Sequence, residues 1–211
     1  MSRLHELYSL EGTSNTSVLR SIYDEWASSY DKELADEAQE YVAPALAGAY
    51  LLQALKTPSI NDSLEILDAG CGTGLVGAHL SAIGAKKVDG IDLSPGMLEL
   101  AAKTKAYRNL QTADLSTRLN FSDGAYDALT CIGTLTQGHV GPSALDEFVR
   151  VVKKDGFVVV TILDAIFAKG GYEATIQKLV EAGKVDIVAA RIEDYRRGAG
   201  VRAWMIVLRV L

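Results

Sequence analysis

Glu65-Ile66-Leu67-Asp68-Ala69-Gly70-Cys71-Gly72-Thr73-Gly74 decides how this chain is read. Its first half has the apolar content of a strand, and glycine then stands at every second position, 70, 72 and 74. Leu75-Val76-Gly77-Ala78-His79-Leu80 follows as the expected start of a helix. A strand, a glycine loop and a helix in that order bring bare backbone to a helix N-terminus, where a ligand can approach closely. The loop departs from a dinucleotide fingerprint, because Leu75 occupies the place of that fingerprint's third glycine.

Three carboxylates sharpen the reading. Asp68, at the mouth of the loop, repels phosphates and attracts a cation such as the ammonium of an amino-acid-bearing nucleoside. Asp92 closes the next expected strand, Lys87-Val88-Asp89-Gly90-Ile91-Asp92. It lies about twenty residues past the loop, where a carboxylate accepts both hydroxyls of a ribose. Asp114 follows the short run Leu110-Gln111-Thr112-Ala113. A glycine loop that was only a tight turn would not need acids at three successive strand ends.

The length of 211 residues suits one domain with a single core, taken here as 1–211. With 48% hydrophobic and 23% charged residues, the composition is that of an ordinary globular protein. The net charge of −6 argues against a nucleic-acid partner, since phosphate backbones call for a basic surface. Two cysteines make no disulfide framework and suit a reducing compartment. No apolar run reaches the roughly 20 residues of a membrane span, and no signal-peptide pattern opens the chain, so a cytoplasmic location and no membrane partner are expected.

Upstream of the loop, Val18, Leu19, Ile22, Tyr23, Trp26 and Tyr30 recur at helical spacing. A second helix carries Tyr41, Val42, Ala45, Leu46, Ala49, Tyr50 and Leu52, with Pro44 in its first turn and Pro58 as its stop. Residues 1–57 therefore form a helical lid on an α/β core spanning 64–211, and the natural place for it is over the mouth of the ligand site. From Leu64 on, strands and helices alternate, which argues for a parallel sheet with helices on both faces. Ser94 caps a helix begun by Pro95. The fourth strand is expected over Tyr126–Ile132, a helix over Ala144–Lys153 and the fifth strand over Phe157–Leu163. A helix from about Tyr172 ends before Gly183, and 185–192 with 201–210 reads as an antiparallel hairpin at the sheet edge.

Together these features resemble the class I S-adenosylmethionine (SAM) methyltransferase family over about residues 18–211. Glu65–Gly74 is similar to the family's first motif and Gly90–Leu98 to its second; Ala113-Asp114-Leu115 resembles the acidic turn beside the adenine. Tyr23–Asp31 is similar to quinone-biosynthesis members, and Gly133–Val140 to the Williams–Beuren-region methyltransferase-like group. The resemblance implies a Rossmann-like, seven-stranded, mostly parallel sheet, SAM as cofactor, and methyl transfer to a nitrogen or oxygen of a small-molecule metabolite, with no metal. Family membership alone fixes no substrate.

On this reading Asp68 meets the methionine ammonium and the amides of Gly70, Cys71, Gly72 and Gly74 meet its carboxylate. Asp92 takes the ribose and Asp114 the adenine amino group. Leu93, Met97 and Leu115 sandwich the ring, and Tyr30 and Cys131 complete the cofactor set. His139, in the loop after the fourth strand, is the candidate base; the alternative is a capping or solvent-facing histidine. His79 reads as structural. Tyr23 and Trp26 are candidate substrate contacts through their aromatic faces, with core packing the alternative for Trp26. Asp164 either holds an amine substrate or caps its loop. The rival readings are a catalytically silent SAM-binding protein and, disfavoured by Asp68 and Leu75, a nicotinamide oxidoreductase. Either a monomer or a homodimer is compatible with this sequence.

Overall fold

A computed structural model of the chain describes residues 16–38, 41–138, 140–198 and 200–211, and the side chains of all of these except 28–38. The strands are β1 (Glu65–Ala69), β2 (Lys87–Asp92), β3 (Asn109–Thr112), β4 (Tyr126–Leu135), β5 (Val152–Leu163), β6 (Val185–Arg196) and β7 (Val201–Val210). The helices are α1 (Thr16–Ala38), α2 (Ala43–Leu55), α3 (Leu75–Ala82), α4 (Pro95–Lys103), α5 (Ala144–Val151), α6 (Asp164–Phe167) and α7 (Tyr172–Glu181). One seven-stranded sheet runs in the order β3-β2-β1-β4-β5-β7-β6. Its first five strands are parallel, and β7 lies antiparallel between β5 and β6.

Successive strand residues point to opposite faces, so each strand feeds two cores. Ile66, Ala128, Val159 and Val207 meet Leu51 of α2 and Leu80 of α3 on one face. Leu67, Leu129, Val158 and Leu208 meet Phe148 of α5 and Ile176 of α7 on the other. Burial on both sides is why Phe157–Leu163 is almost continuously apolar. The order places the ends of β1, β2 and β4 side by side, and there the glycine loop emerges.

Of the two helices expected over the carboxyl edge, α2 instead covers a sheet face, packed on α3, β4, β5 and β7. Gly48 makes that approach possible: a Cβ there would lie 2.7 Å from the His79 ring, which is thereby a packing residue. Helix α1 lies against α4. Trp26 is fully buried in a small cluster with Leu19, Ile22, Tyr23 and Leu93, so it is a core residue and no substrate contact. The Asp24 carboxylate accepts the Ser94 hydroxyl and the Gly96 N–H at 3.0 Å, pinning α1 to the start of α4. Ser94 Oγ in turn accepts the Met97 N–H at 3.1 Å, the expected cap.

Several boundaries differ from the sequence reading, among them the start of β5, at Val152 and not Phe157, and the end of β6, at Arg196 and not 192. Helix α1 runs on to Ala38 through a polar stretch of good helix formers. Strand β4 continues past Ile132 to Leu135, because Gly133, at φ 84°, bends the strand without ending it and donates its N–H to Thr161 Oγ1 at 2.8 Å. Helix α5 stops at Val151, since Val152 already pairs with Tyr126 in the sheet.

Ser94→Ala is expected to cost about 1 kcal/mol, the value of a lost N-cap. Ser94→Ala also removes the hydrogen bond to Asp24, which Asp24→Ala removes from the other side, so the double mutant should lose less than the sum of the two. Urea unfolding of the four proteins checks this, and additive losses would show that the two residues act separately.

Candidate functional site

The glycine loop is held by the strand beside it. Gly70 and Cys71 both donate their N–H to the Ile91 carbonyl, at 2.7 and 3.0 Å, and Gly74 donates to Cys71 O. Gly70, Gly72 and Gly74 have φ of 74°, 54° and 94°, in the left-handed region that side-chain-bearing residues avoid. Helix α3 then starts from Gly74, which has no side chain to cap it, and in its first turn the Gly77 N–H donates to the Tyr107 hydroxyl at 3.1 Å.

Asp92 joins the loop to the next helix. Its Oδ2 accepts Gly72 N–H at 2.8 Å and its Oδ1 accepts Ser94 N–H at 2.9 Å. Burial pushes this carboxyl above its usual range, and the N–H donors of Ser94, Gly72 and Leu93 oppose the shift. Asp114 closes a turn of its own, accepting Ser116 N–H at 2.8 Å and the Ser116 hydroxyl at 2.6 Å.

These residues line a cavity of about 530 Å³, within the range of about 300–1,000 Å³ typical of small-molecule sites. Gly70, Cys71, Gly72, Asp92, Leu93, Met97, Asp114 and Leu115 of the expected cofactor set reach it, as does Tyr23 of the expected substrate set. Cys71 stays a thiol, because burial pushes its ionisation well above the ordinary value. Gly74 contributes only backbone shape, at the start of α3.

Several expected contacts are not made. Asp68 is 1% exposed and lies beneath the loop, where Tyr107 OH donates to Oδ2 at 2.7 Å and Thr130 Oγ1 donates to Oδ1 at 2.8 Å. It therefore reaches a ligand only as a charge acting through the loop, not by direct contact. Burial, opposed by these two hydroxyls, pushes its carboxyl up to about 6. Cys131 is wholly buried in the core, because its side chain points to the α5 face of β4; Ile132, Gly133 and Thr134 line the cavity in its place. Asp164 starts α6 and is engaged by Arg202 at 2.9 Å and by Trp204 Nε1 at 3.1 Å, so it is a structural anchor. The Tyr30 side chain and His139 lie outside the described residues.

Other residues escaped the sequence reading. Thr134 stands over Gly70, and Tyr172 lines the cavity while donating its hydroxyl to the Val140 carbonyl. Tyr41, expected among the rings of the N-terminal lid, lines the cavity and meets Tyr195 edge to face, 5.4 Å between centroids. Tyr107 was invisible because nothing in its own neighbourhood marks it. The signal lay elsewhere, in the spacing of Gly74, Gly77 and Gly90, whose missing side chains leave room for its ring.

The charges at the two edges of the sheet are treated differently. At the amino edge, Glu65 pairs with Lys87 and Arg108, Asp89 with Arg108, and Asp127 with Lys153. All three carboxyls lie below their usual range, despite burial, through those partners. At the carboxyl edge, among the described residues, Asp68, Asp92 and Asp114 form no ion pair and meet only N–H and O–H donors. No described residue lining the cavity is Lys, Arg or His. The site thus holds uncompensated negative charge, which suits a cation and repels phosphates. Among the described residues no three His, Cys, Asp or Glu gather as around a metal ion, and no helix is long and apolar enough to cross a membrane.

A family model described as a methyltransferase domain matches residues 67–160. Methyltransferase-like protein 27 of Homo sapiens is 39% identical over 165 residues, which are 76% of this chain and 65% of that protein. The malonyl-[acyl-carrier protein] O-methyltransferase of Serratia marcescens is 30% identical over 159 residues, 74% of this chain and 57% of that protein. The chain thus spans about 65% and 57% of the length of these relatives. The crystal structure of a TehB-like SAM-dependent methyltransferase from Corynebacterium glutamicum superposes with a TM-score of 0.62 at 21% identity, covering 89% of this chain and 98% of that one. At that identity the likeness concerns the fold.

Gly70 and Gly72 differ in a way that can be measured. An added Cβ at Gly70 would lie 2.2 Å from Thr134 Oγ1, whereas at Gly72 nothing stands within 4 Å. Both have positive φ, so Gly72→Ala is expected to cost about 1–2 kcal/mol of backbone strain alone. Gly70→Ala should cost more, and Thr134→Ala should recover part of the difference; urea unfolding reads all three.

Proposed function

We propose that the chain belongs to the class I S-adenosylmethionine-dependent methyltransferase family, whose cofactor is SAM, and that it transfers the methyl group to a nitrogen or oxygen of a small metabolite by in-line displacement. The observation that carries this reading is the one cavity that takes in the glycine loop, two unpaired carboxylates and the rings of Tyr23, Tyr41 and Tyr172. The residues fit the cofactor: open space stands where a side chain at Gly72 would be, and Gly74 brings no side chain to the start of α3.

When bound, SAM supplies a methyl group already activated on a sulfonium. The chain's own residues bind, orient and exclude water. Asp92 receives the ribose hydroxyls on the lone pairs that Gly72 and Ser94 leave open. The first turn of α3 receives the methionine carboxylate, because the expected donors, the N–H groups of Gly70, Cys71, Gly72 and Gly74, are already taken by Ile91, Asp92 and Cys71. Leu93, Met97 and Leu115 enclose the adenine, with Asp114 at its amino group. Tyr23 of α1 and Tyr41 beside α2 close the cavity and offer aromatic faces to a cation. Helix α1, pinned through Asp24, acts as the lid over the site. His139 is the candidate to take the acceptor's proton where one must leave. An anionic acceptor or a nucleic acid would meet the carboxylates with no described cation lining the cavity to offset them.

Incubation with methyl-labelled SAM and a metabolite extract, followed by separation of macromolecules from small molecules, tests the reading. Label in the small-molecule fraction is expected. Label in protein or RNA overturns the acceptor class, and SAM binding without any transfer makes this a silent member of the family.

Cofactor affinity should depend on pH. The Asp68 carboxyl, pushed up to about 6, is neutral below that value and negative above it. A ligand ammonium favours the negative form, so SAM affinity should rise with pH through 6 and be about ten-fold weaker at pH 5 than at pH 7. Calorimetric titrations across that window check the sign.

A further inference from the structure

Tyr107, in the connection between α4 and β3, is the residue around which the cofactor loop is assembled. Its hydroxyl accepts the Gly77 N–H at 3.1 Å and donates to Asp68 Oδ2 at 2.7 Å. Its ring fills the space left by three glycines from three elements. A Cβ at Gly77 would stand 2.2 Å from the ring Cζ, one at Gly90 2.8 Å from Cδ1 and one at Gly74 3.1 Å from Cε2. Gly77 lies in the first turn of α3, where an N–H has no partner within the helix. The phenol therefore ties the end of β1 to the start of α3, behind the loop that joins them.

The same hydroxyl acts on charge. Asp68 is 1% exposed, so water does not solvate it, and an unsolvated carboxylate tends to take up a proton. Donors to its two oxygens, Tyr107 on one and Thr130 on the other, favour the ionised form and fix its orientation. The Gly77 N–H, donating into the phenol oxygen, polarises the O–H that donates onward. A charge held in so dry a place is poorly screened and is felt across the thickness of a loop.

We propose that Tyr107 is a positioning residue of the cofactor site: it holds Asp68 ionised beneath the glycine loop, and that charge selects the ammonium-bearing amino-acid arm of the cofactor. The proposal rests on the cofactor reading above, in which Asp68 attracts the ammonium, and adds to it the residue that positions that charge.

The test compares two ligands, S-adenosylhomocysteine, which keeps the amino-acid arm, and 5′-methylthioadenosine, which has the nucleoside and thioether without it. Calorimetry on the full chain should find the first bound more tightly by wild type. Tyr107→Phe, which keeps the ring, should weaken S-adenosylhomocysteine about ten-fold and leave methylthioadenosine within two-fold. Asp68→Asn should do the same, and adding Tyr107→Phe to it should bring no further loss. Equal loss for both ligands, no loss, or additive loss in the double mutant overturns the proposal, because each is the mark of a merely structural tyrosine. Should Tyr107→Phe fail to fold, Gly77→Ala displaces the hydroxyl while leaving both partners in the chain, and the same selective loss is expected. Wild type that prefers neither ligand removes the role of Asp68 and this proposal with it. Wild type that binds neither removes the cofactor reading itself.

Discussion

The Ile91 carbonyl accepts two consecutive N–H groups, those of Gly70 and Cys71, and the carboxyl edge of the sheet is built on that contact. It obliges the chain to leave β1 in a tight path against β2, which only glycine follows without strain. The path in turn brings Gly72 within reach of Asp92 and enters α3 through Gly74, which has no side chain to cap it. Loop, carboxylate and helix start therefore form one unit, and the cavity is the space above it.

That unit is electrostatically one-sided. Acids at the amino edge have Arg and Lys beside them and serve stability; Arg108 alone joins Glu65 and Asp89. Those at the carboxyl edge meet only dipoles, so their charge is stabilised without being cancelled. Keeping charge unpaired in a buried place costs stability, which is why the carboxyls of Asp68 and Asp92 lie above their usual range. A cationic ligand offsets that cost.

The N-terminal helices divide their work. Small residues on α2, above all Gly48, let it lie close on α3 and a sheet face. Helix α1 touches the rest through Trp26, buried under Leu93, and through Asp24 at the start of α4. Since Ser94 and Asp92 belong to the same turn, the anchor of α1 and the cavity-lining carboxylate of Asp92 are two residues apart.

Local spacing alone determined the strand–loop–helix joint at 65–75, the acids at three strand ends, the Ser94-Pro95 cap and the closing hairpin. Each of these is set by a few consecutive residues, through φ, alternation or helical period. Strand order, with β7 between β5 and β6, was decided only in three dimensions, as were the depth of Asp68, the turning of Cys131 away from the cavity and the capture of Asp164 by Arg202 and Trp204. These depend on which face of an element meets which neighbour, and one residue along a strand reverses the answer, as Cys131 and Ile132 illustrate. Tyr107 is the clearest case. Its place is written in the side chains that three distant glycines lack, and a gap of that kind has a shape only once the elements around it have packed.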